Sequence, residues 1–389
     1  MKKNIYLDHA STTPVHPEVV KAMLPYFGEK YGNPSTLYAL GREARTAIEE
    51  AREQIANILG ASKPTEIIFT SGGTESDNLA IKGICEAYKD KGRHIITSSV
   101  EHSAVIHTFE YMEKQGYEVT YLPVDKYGIV DINALKESIR PDTIFVSIMT
   151  ANNEVGTIQP VKEISNILKE KNIIFHTDAV QAIGSLPVNV QDLGVDALSL
   201  SAHKFYGPKG TGALYLKRGI RIVSQNIGGS QERRHRAGTE NVPGIIGMAK
   251  ALEIACGKDF EEKNKRITNL RNRLINGVMD SITKTHLTGD PVKRLPNSAS
   301  FVFEQVEGES ILLNLDLLGI AATSGSACTS DSLEPSYVLK AMGVPIEIAH
   351  GSLRLTLGTG TTEEDINYVL EHLPKIIDKL RAMSPLAGK

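Results

Sequence analysis

The chain has 389 residues, 41% hydrophobic and 23% charged, so it can bury a sizeable core and form a large domain plus a smaller one. Its formal net charge of -3 provides no electrostatic attraction for nucleic acid, and no such partner is expected. No apolar run approaches a membrane span and the first ten residues lack an apolar signal region, so we expect a cytoplasmic protein without membrane contact.

Apolar runs that are typical of β-strands alternate with helical stretches through the first part of the chain. This alternation indicates a mainly parallel sheet covered by helices on both faces. The predicted strands occupy residues 66–70, 94–98, 118–122, 144–148, 172–177, 197–201 and 213–216. The sequence therefore predicts an α/β fold with a mainly parallel seven-stranded sheet.

A glycine turn joins the first of these strands to a helix, in F-T-S-G-G-T-E-S-D-N. Gly72 and Gly73 leave backbone amides open, and Thr74 follows at the helix N-terminus. Unpaired N–H groups and the helix dipole both favour an anion such as a phosphate. The spacing is that of neither a Walker loop nor a dinucleotide fingerprint, and an ordinary strand-to-helix turn is the alternative.

Polar residues also follow the next predicted strands. His102, in S-V-E-H-S-A-V, could stack on a flat ring or handle a proton, although a lone histidine is more often packed or exposed. Asn153, in T-A-N-N-E-V-G-T, is a turn asparagine or an amide aimed at a ligand oxygen. Asp178 ends the run N-I-I-F-H-T-D, where a carboxylate could pair with a pyridinium nitrogen, and Gln181 could bond a phenolic oxygen.

Lys204, in S-A-H-K-F-Y-G-P-K-G, lies just past another apolar run. A lysine that is partly desolvated there would favour its neutral form and act as a nucleophile towards an aldehyde. Taken alone, the residue is more often a solvated surface charge. All these polar groups, however, fall at the carboxyl ends of successive apolar runs, which is the edge where open α/β sheets bind ligands. The pattern predicts a pyridoxal phosphate site.

The remaining sequence predicts a smaller α+β unit. It contains a long polar helix at 247–280 and strands at 298–303, 320–326 and 351–357. A last helix at 361–380 has a capping box of Thr361 and Glu364, and Pro374 should bend or interrupt it. In G-S-L-R-L-T-L, strand alternation separates Arg354 from the leucines. Arg354 could hold a substrate carboxylate by two parallel hydrogen bonds, or form a surface salt bridge.

The three cysteines show neither C-x-x-C spacing nor an even count, which fits a reducing compartment. Cys85 and Cys256 lie among helical apolar residues and are predicted to be inert core residues. Cys328 lies in A-T-S-G-S-A-C-T-S-D-S-L-E-P-S (322–336), a small and polar stretch. The composition predicts a mobile loop and an exposed thiol.

Together these motifs resemble the cysteine desulfurases of the NifS/IscS type, in class V of the fold-type I pyridoxal phosphate enzymes. The likeness runs nearly end to end and includes L-D-H-A-S-T-T-P, Y-G-N-P-S, N-N-E-V-G-T-I-Q-P, H-T-D-A-V-Q, R-A-G-T-E-N-V-P-G, S-G-S-A-C-T-S and G-S-L-R-L-T-L-G. Asp331 stands where glycine is common in this family. The SufS group, by contrast, carries a short R-x-G-H-H-C segment.

The resemblance implies an enzyme that converts L-cysteine to L-alanine and takes the sulfur as a persulfide on Cys328. It implies that Lys204 holds pyridoxal 5'-phosphate and removes the α-proton, that Arg354 and Asn153 bind the substrate, and that His102 exchanges protons with the thiols. Asp178, Gln181 and His102 would hold the ring. The phosphate would bind Gly73, Thr74, Ser201 and His203, together with Thr239 from the partner subunit of a homodimer.

The resemblance further implies an iron-sulfur scaffold protein of the NifU/IscU type as sulfur acceptor, and whether Cys328 transiently ligates a cluster is left open. The predicted large, cofactor-binding domain is 15–258. Residues 1–14 with 259–389 form the predicted small domain, which carries the cysteine loop at about 322–336. Alternatives are a selenocysteine lyase, another class V enzyme such as an aminotransferase, or a regulatory binding module with an aminotransferase-like domain.

Overall fold

The structure is a computed structural model that describes residues 4–325 and 335–383. The strands in this part of the chain are β1 (Ile5–Tyr6), β2 (Ile67–Thr70), β3 (His94–Ser98), β4 (Glu118–Leu122), β5 (Thr143–Ser147), β6 (Ile174–Asp178), β7 (Ala197–Ser201), β8 (Gly212–Leu216), β9 (Thr285–Leu287), β10 (Ser298–Phe303), β11 (Ile320–Ala321) and β12 (Ser352–Thr356). All seven strands predicted before residue 217 are present.

Helices cover the sheet and build most of the remainder. Their bounds are α1 (Pro17–Met23), α2 (Pro25–Gly28), α3 (Ala39–Leu59), α4 (Gly73–Tyr88), α5 (Ser103–Lys114), α6 (Ile132–Ser138), α7 (Val161–Glu170), α8 (Val190–Leu193), α9 (Val242–Ala255), α10 (Phe260–Ser281), α11 (Gly308–Leu317), α12 (Tyr337–Ala341), α13 (Ile346–Ala349) and α14 (Glu363–Met383). None of these described helices is both long enough and apolar enough to span a membrane.

The large sheet has the strand order β2-β8-β7-β6-β5-β3-β4. Only β8 runs antiparallel to its neighbours, and the other six strands are parallel to one another. Their carboxyl ends therefore meet at one edge, where open α/β sheets bind ligands. This topology confirms the predicted α/β fold with a mainly parallel seven-stranded sheet.

Separate apolar clusters fill the two faces of this sheet. Residues of α3, α7 and α9 pack on one face, and residues of α4 and α5 pack on the other. A third cluster joins α10, α11 and α14 to the antiparallel sheet β12-β10-β9. Strands buried on both faces read as continuous apolar runs, which is why the sequence revealed them clearly.

Two elements after residue 246 differ from the prediction. The single helix expected at 247–280 is two helices, because the chain breaks after Ala255, where Gly257 is a poor helix former. The strand expected at 320–326 is only two residues long and pairs in parallel with β1. Beyond it, Thr323 forms an isolated bridge with Arg354.

The last helix also departs from expectation. α14 continues through Pro374 without interruption, because neighbouring residues such as Leu373 and Ile377 are fully buried and hold the helix in place. Its reciprocal cap lies one residue later than predicted. The hydroxyl of Thr362 accepts from the Asp365 amide, and the Asp365 carboxylate accepts from the Thr362 amide.

Candidate active site

A cavity of about 220 Å³ opens at the carboxyl edge of the large sheet. The turns that follow β2, β3, β5, β6 and β7 supply its walls. It is lined by Gly73, Thr74, Asp77, His102, Met149, Ala151, Asn153, Asp178, Val180, Gln181, Ser201, His203 and Lys204. Parallel strands thus bring together side chains that are up to 131 positions apart in the sequence, as the turn pattern predicted.

One end of the cavity is suited to an anion. The first-turn amides of α4 at Gly73 and Thr74 have no partner within a helix, and the positive end of the helix dipole lies there. A Cβ placed on Gly73 would lie 2.8 Å from Cγ2 of Val180 and 3.6 Å from Cβ of Ser201. Glycine therefore keeps this end open, and Ser201 and His203 add polar groups beside it.

The Asp178 carboxylate lies deep in the cavity and is 5% exposed. The amide of Val180 donates to its Oδ1 at 2.8 Å. Burial raises the pKa of Asp178, whereas the nearby His102 and Lys204 lower it. A buried carboxyl group of this kind is readily ionised when a cation lies against it, and a protonated ring nitrogen is such a cation.

His102 caps the start of α5. Its Nδ1 accepts from the Ala104 amide at 3.1 Å, so a neutral ring carries its proton on Nε2. Burial lowers the pKa of His102, and Asp178 opposes that shift while Lys204 adds to it. The ring is thus held in one orientation, and its neutral form is favoured near pH 7.

A second buried carboxyl group, Asp77, was not predicted from the sequence. One ligand atom each of Asp77, His102 and Asp178 lie within 4.8 Å of one another, and Oδ1 of Asp77 is buried without a hydrogen-bond partner. Burial and the neighbouring Asp178 charge raise the pKa of Asp77 well above its usual range. Its position one turn into α4 was the available signal, since residues there face the sheet edge.

Lys204 reaches across to the N-terminal segment of the chain. Its ammonium group donates to the carbonyl of Ala10 at 2.5 Å and to that of Ser11 at 2.8 Å. The Gln181 amide also donates to the Ala10 carbonyl, at 3.0 Å. The segment L-D-H-A-S therefore holds two side chains of the cavity lining through backbone carbonyls, a role that sequence reasoning did not assign.

Arg354 extends from β12 of the smaller unit towards the same place. Its Nη1 donates to the Asn153 carbonyl at 2.8 Å, and its Nη2 donates to Asp8 Oδ1 at 3.1 Å and Ser11 Oγ at 2.9 Å. The side chain is 5% exposed, so the surface salt bridge considered above does not describe it. Its Nε is buried without a partner.

Arg354 contacts the cavity lining at Asn153 without being part of it, and two other predicted site residues are not in this group. Thr239 is exposed and does not line the cavity. Cys328 lies outside the described residues. Of the other cysteines, Cys85 is fully buried and Cys256 is half-buried, and burial raises the pKa of both thiols. Neither forms a thiolate readily near pH 7.

An open anion site, a buried carboxylate, a capped imidazole and a lysine around one cavity define a pyridoxal phosphate type of enzyme. The class-V aminotransferase family model matches residues 5–369. The cysteine desulfurase IscS of Methanosarcina thermophila is 58% identical over 387 residues, covering 100% of this chain and 95% of that protein. The cysteine desulfurase IscS of Dictyoglomus turgidum is 58% identical over 385 residues, covering 99% of this chain and 97% of that protein.

Solved structures agree with these relatives. A NifS-like protein superposes with a TM-score of 0.91 at 40% identity, over 97% of this chain and 100% of that one. SspA in complex with cysteine superposes with a TM-score of 0.82 at 35% identity, over 92% and 100%. The chain belongs to the class-V aminotransferase family and, within it, to the cysteine desulfurases, which depend on pyridoxal 5'-phosphate.

Proposed function

We propose that this protein removes sulfur from L-cysteine, leaving L-alanine, and passes the sulfur through Cys328 to an acceptor protein. The observation that carries the proposal is the meeting of Asp178, His102 and Lys204 in one buried cavity beside the open start of α4. Arg354 completes the set, because its guanidinium group contacts the same turn, at Asn153.

The cofactor fits this donor set. We assign its phosphate to the amides of Gly73 and Thr74 with Ser201 and His203, and its ring nitrogen to Asp178. His102 would cover the ring, and the Gln181 amide would bond the ring oxygen. When bound through Lys204, the cofactor supplies an electron sink for the substrate's α-carbon.

The substrate is oriented by its carboxylate. Arg354 presents a planar fork whose Nη2 is shared between Asp8 and Ser11, and a substrate carboxylate would replace part of that contact. A bidentate pair fixes direction as well as position. Lys204, held between two backbone carbonyls, is placed to carry the α-proton once its own amine is free.

Cys328 would act as a thiolate on the substrate's sulfur. A bond forms between the two sulfur atoms, the bond between the substrate's β-carbon and sulfur breaks, and its electron pair stays with the carbon fragment, which takes up protons and leaves as alanine. No external oxidant is needed, because the β-carbon gains the two electrons that the sulfur atoms lose when they form the persulfide bond. His102, neutral near pH 7, is suited to exchange protons with the thiols.

We further propose a cytoplasmic homodimer in which Thr239 of each subunit binds the phosphate in the other. Its exposure and its place outside the cavity of its own subunit support this assignment. The proposed acceptor is an iron-sulfur scaffold protein, by likeness to the relatives named IscS. Light scattering on the holoenzyme tests the dimer, and a Thr239→Ala variant should release the cofactor faster on dilution without dissociating the subunits.

The activity is tested by measuring alanine formed from L-cysteine. Lys204→Ala should lose turnover. It should also lose the visible absorbance band of the lysine-bound cofactor. Cys328→Ser should keep the absorbance change on adding cysteine but form alanine only at background rate, while Cys256→Ser serves as a matched control with turnover retained. Undiminished alanine formation by Cys328→Ser would refute the proposed sulfur path.

A further inference from the structure

Glu154 lies buried beneath the two stretches of chain that flank residues 326–334. Glu154 is 6% exposed. The Ser336 hydroxyl donates to Oε2 of Glu154 at 2.5 Å. On the other side, a Cβ built on Gly325 would lie 2.7 Å from the same oxygen and 3.6 Å from Cβ of Ser336. One carboxylate oxygen therefore accepts a hydrogen bond from one flank and lies where a side chain on the other flank would have to be.

Ser336 makes this contact rigid. Its Oγ accepts from the amides of Val338 at 3.1 Å and Leu339 at 3.3 Å, and so caps the start of α12. Because the same hydroxyl donates its proton to Glu154, the carboxylate fixes where the helix begins. The residue is 4% exposed, and water does not compete for the bond.

Gly325 makes the other contact tight. Any side chain there would press on a carboxylate that is already hydrogen-bonded and enclosed, so Glu154 could not move aside without losing Ser336. A glycine with no β-carbon lets the backbone approach the acid directly. The close approach is thus a property of this pair of residues.

The same turn also contacts the substrate side. The Glu154 amide donates to Oδ1 of Asn152 at 2.8 Å, and the carbonyl of the neighbouring Asn153 accepts from Arg354. A three-residue turn therefore connects the guanidinium proposed to bind the substrate carboxylate with the anchors of the chain on either side of Cys328.

We propose that Glu154 is a positioning residue that anchors the Cys328 segment relative to bound cysteine, so that sulfur transfer depends on it while substrate binding does not. The inference rests on the proposed function and adds a residue to it. Glu154 touches neither substrate nor cofactor in this scheme. It acts through Ser336 and Gly325.

The electrostatics of Glu154 give the inference a pH signature. Burial raises the pKa of Glu154 to about 7, although Ser336 and Arg354 lower it. Arg354, on β12, is the charged group that acts on it, and Arg354 is itself paired with Asp8. The ionised carboxylate accepts a stronger hydrogen bond than the neutral acid. Anchoring should strengthen as pH rises through about 7.

The test follows a single turnover of holoenzyme with L-cysteine by two measurements. The cofactor absorbance change reports substrate binding, and mass spectrometry of the alkylated Cys328 peptide reports the persulfide. For Glu154→Ala we expect persulfide formation to slow at least about tenfold, because one charge-assisted hydrogen bond is lost. The cysteine concentration that gives half of the absorbance change should stay within about twofold of wild type. Glu347→Gln, an exposed acid on α13, is the matched control.

Two further variants keep the test decisive if Glu154→Ala does not fold. Glu154→Gln retains an acceptor but no charge. Its persulfide rate should be intermediate, and its rise with pH between about 6 and 8 should be smaller than that of wild type, because only the ionisation of Cys328 and His102 still contributes to it. Ser336→Ala should slow the same step. A wild-type persulfide rate in the Glu154 and Ser336 variants, or equal losses in both measurements, overturns the inference. Absence of persulfide from wild-type Cys328 instead overturns the proposed function.

Discussion

Replacing Arg52 by methionine should leave the buried Glu232 carboxylate without its hydrogen-bonded counter-charge. Arg52 on α3 donates to both carboxylate oxygens of Glu232 at 2.7 Å, and each side chain is 3% exposed. The pair holds a strained segment in place, since Glu232, Arg233 and Arg234 have φ values of 45°, 54° and 68°. These are left-handed values that side chains disfavour.

The expected magnitude follows from the burial of the pair. Removing one partner of a buried, hydrogen-bonded ion pair costs about 3–5 kcal/mol, because the remaining charge is desolvated and unpaired. Unfolding entropy near 2.1 cal/mol/K per residue gives about 0.8 kcal/mol/K for a chain of 389 residues. Arg52→Met should therefore lower the thermal midpoint by about 4–6 °C.

Scanning calorimetry of the holoenzyme measures this shift. Arg45→Met, an exposed arginine on the same helix, should move the midpoint by less than about 1 °C. The double variant Arg52→Met/Glu232→Gln removes both charges and still offers an acceptor to the Phe69 amide, which now donates to Glu232 at 2.9 Å. It should be more stable than Arg52→Met alone. A single variant as stable as wild type, or a double variant less stable than the single, would refute the reasoning.

Three further predictions test the site and its support. Burial keeps the pKa of Asp77 well above its usual range, so Asp77→Asn should retain cofactor affinity, measured by equilibrium dialysis, within about twofold, whereas Asp178→Asn should not. Burial lowers the pKa of His176 to about 3; its neutral form therefore stabilises the fold above pH 6.5, and this contribution is lost as pH falls towards 3. In His176→Gln the thermal midpoint should fall less steeply as the pH is lowered below 6.5, by up to about 1.7 °C per pH unit. A slope equal to that of wild type would contradict the assignment. A Cβ at Gly212 would lie 2.6 Å from Cα of Gly72, so Gly212→Ala should weaken cofactor binding by distorting the turn before α4; wild-type affinity would show that the turn tolerates it.

Local pattern accounts for the parts of the fold that sequence reasoning reached. Six of the strands β2 to β8 are buried along their whole length, and β4, at the edge of the sheet, is partly buried. Largely apolar runs of this kind, bounded by polar turns, can be recognised from residue types alone. Asp178 and Lys204 were found for the same reason, since each follows such a run. Where helix propensity and packing disagreed, packing decided, as at Pro374, which remains inside α14.

Residues that serve the site through distant contacts gave no such signal. Asp77 appears as an ordinary polar residue of a helix, and its place within 4.8 Å of Asp178 and His102 depends on how α4 packs on the sheet. Asp8 likewise lies 346 positions from Arg354, the residue that it pairs with. Contacts across such separations depend on topology, which short-range patterns do not encode.

The sequence alone determined the class of fold, the order of the strands along the chain, and the residue types that gather at the edge of the sheet, because hydrophobic periodicity and turn chemistry act over a few residues. Tertiary structure alone decided the burial of Arg354, the contacts of Ala10 and Ser11 with Lys204, and the environment of Glu154. Burial and charge are set by neighbours remote in the chain, and it is these neighbours that shift a pKa or anchor a segment.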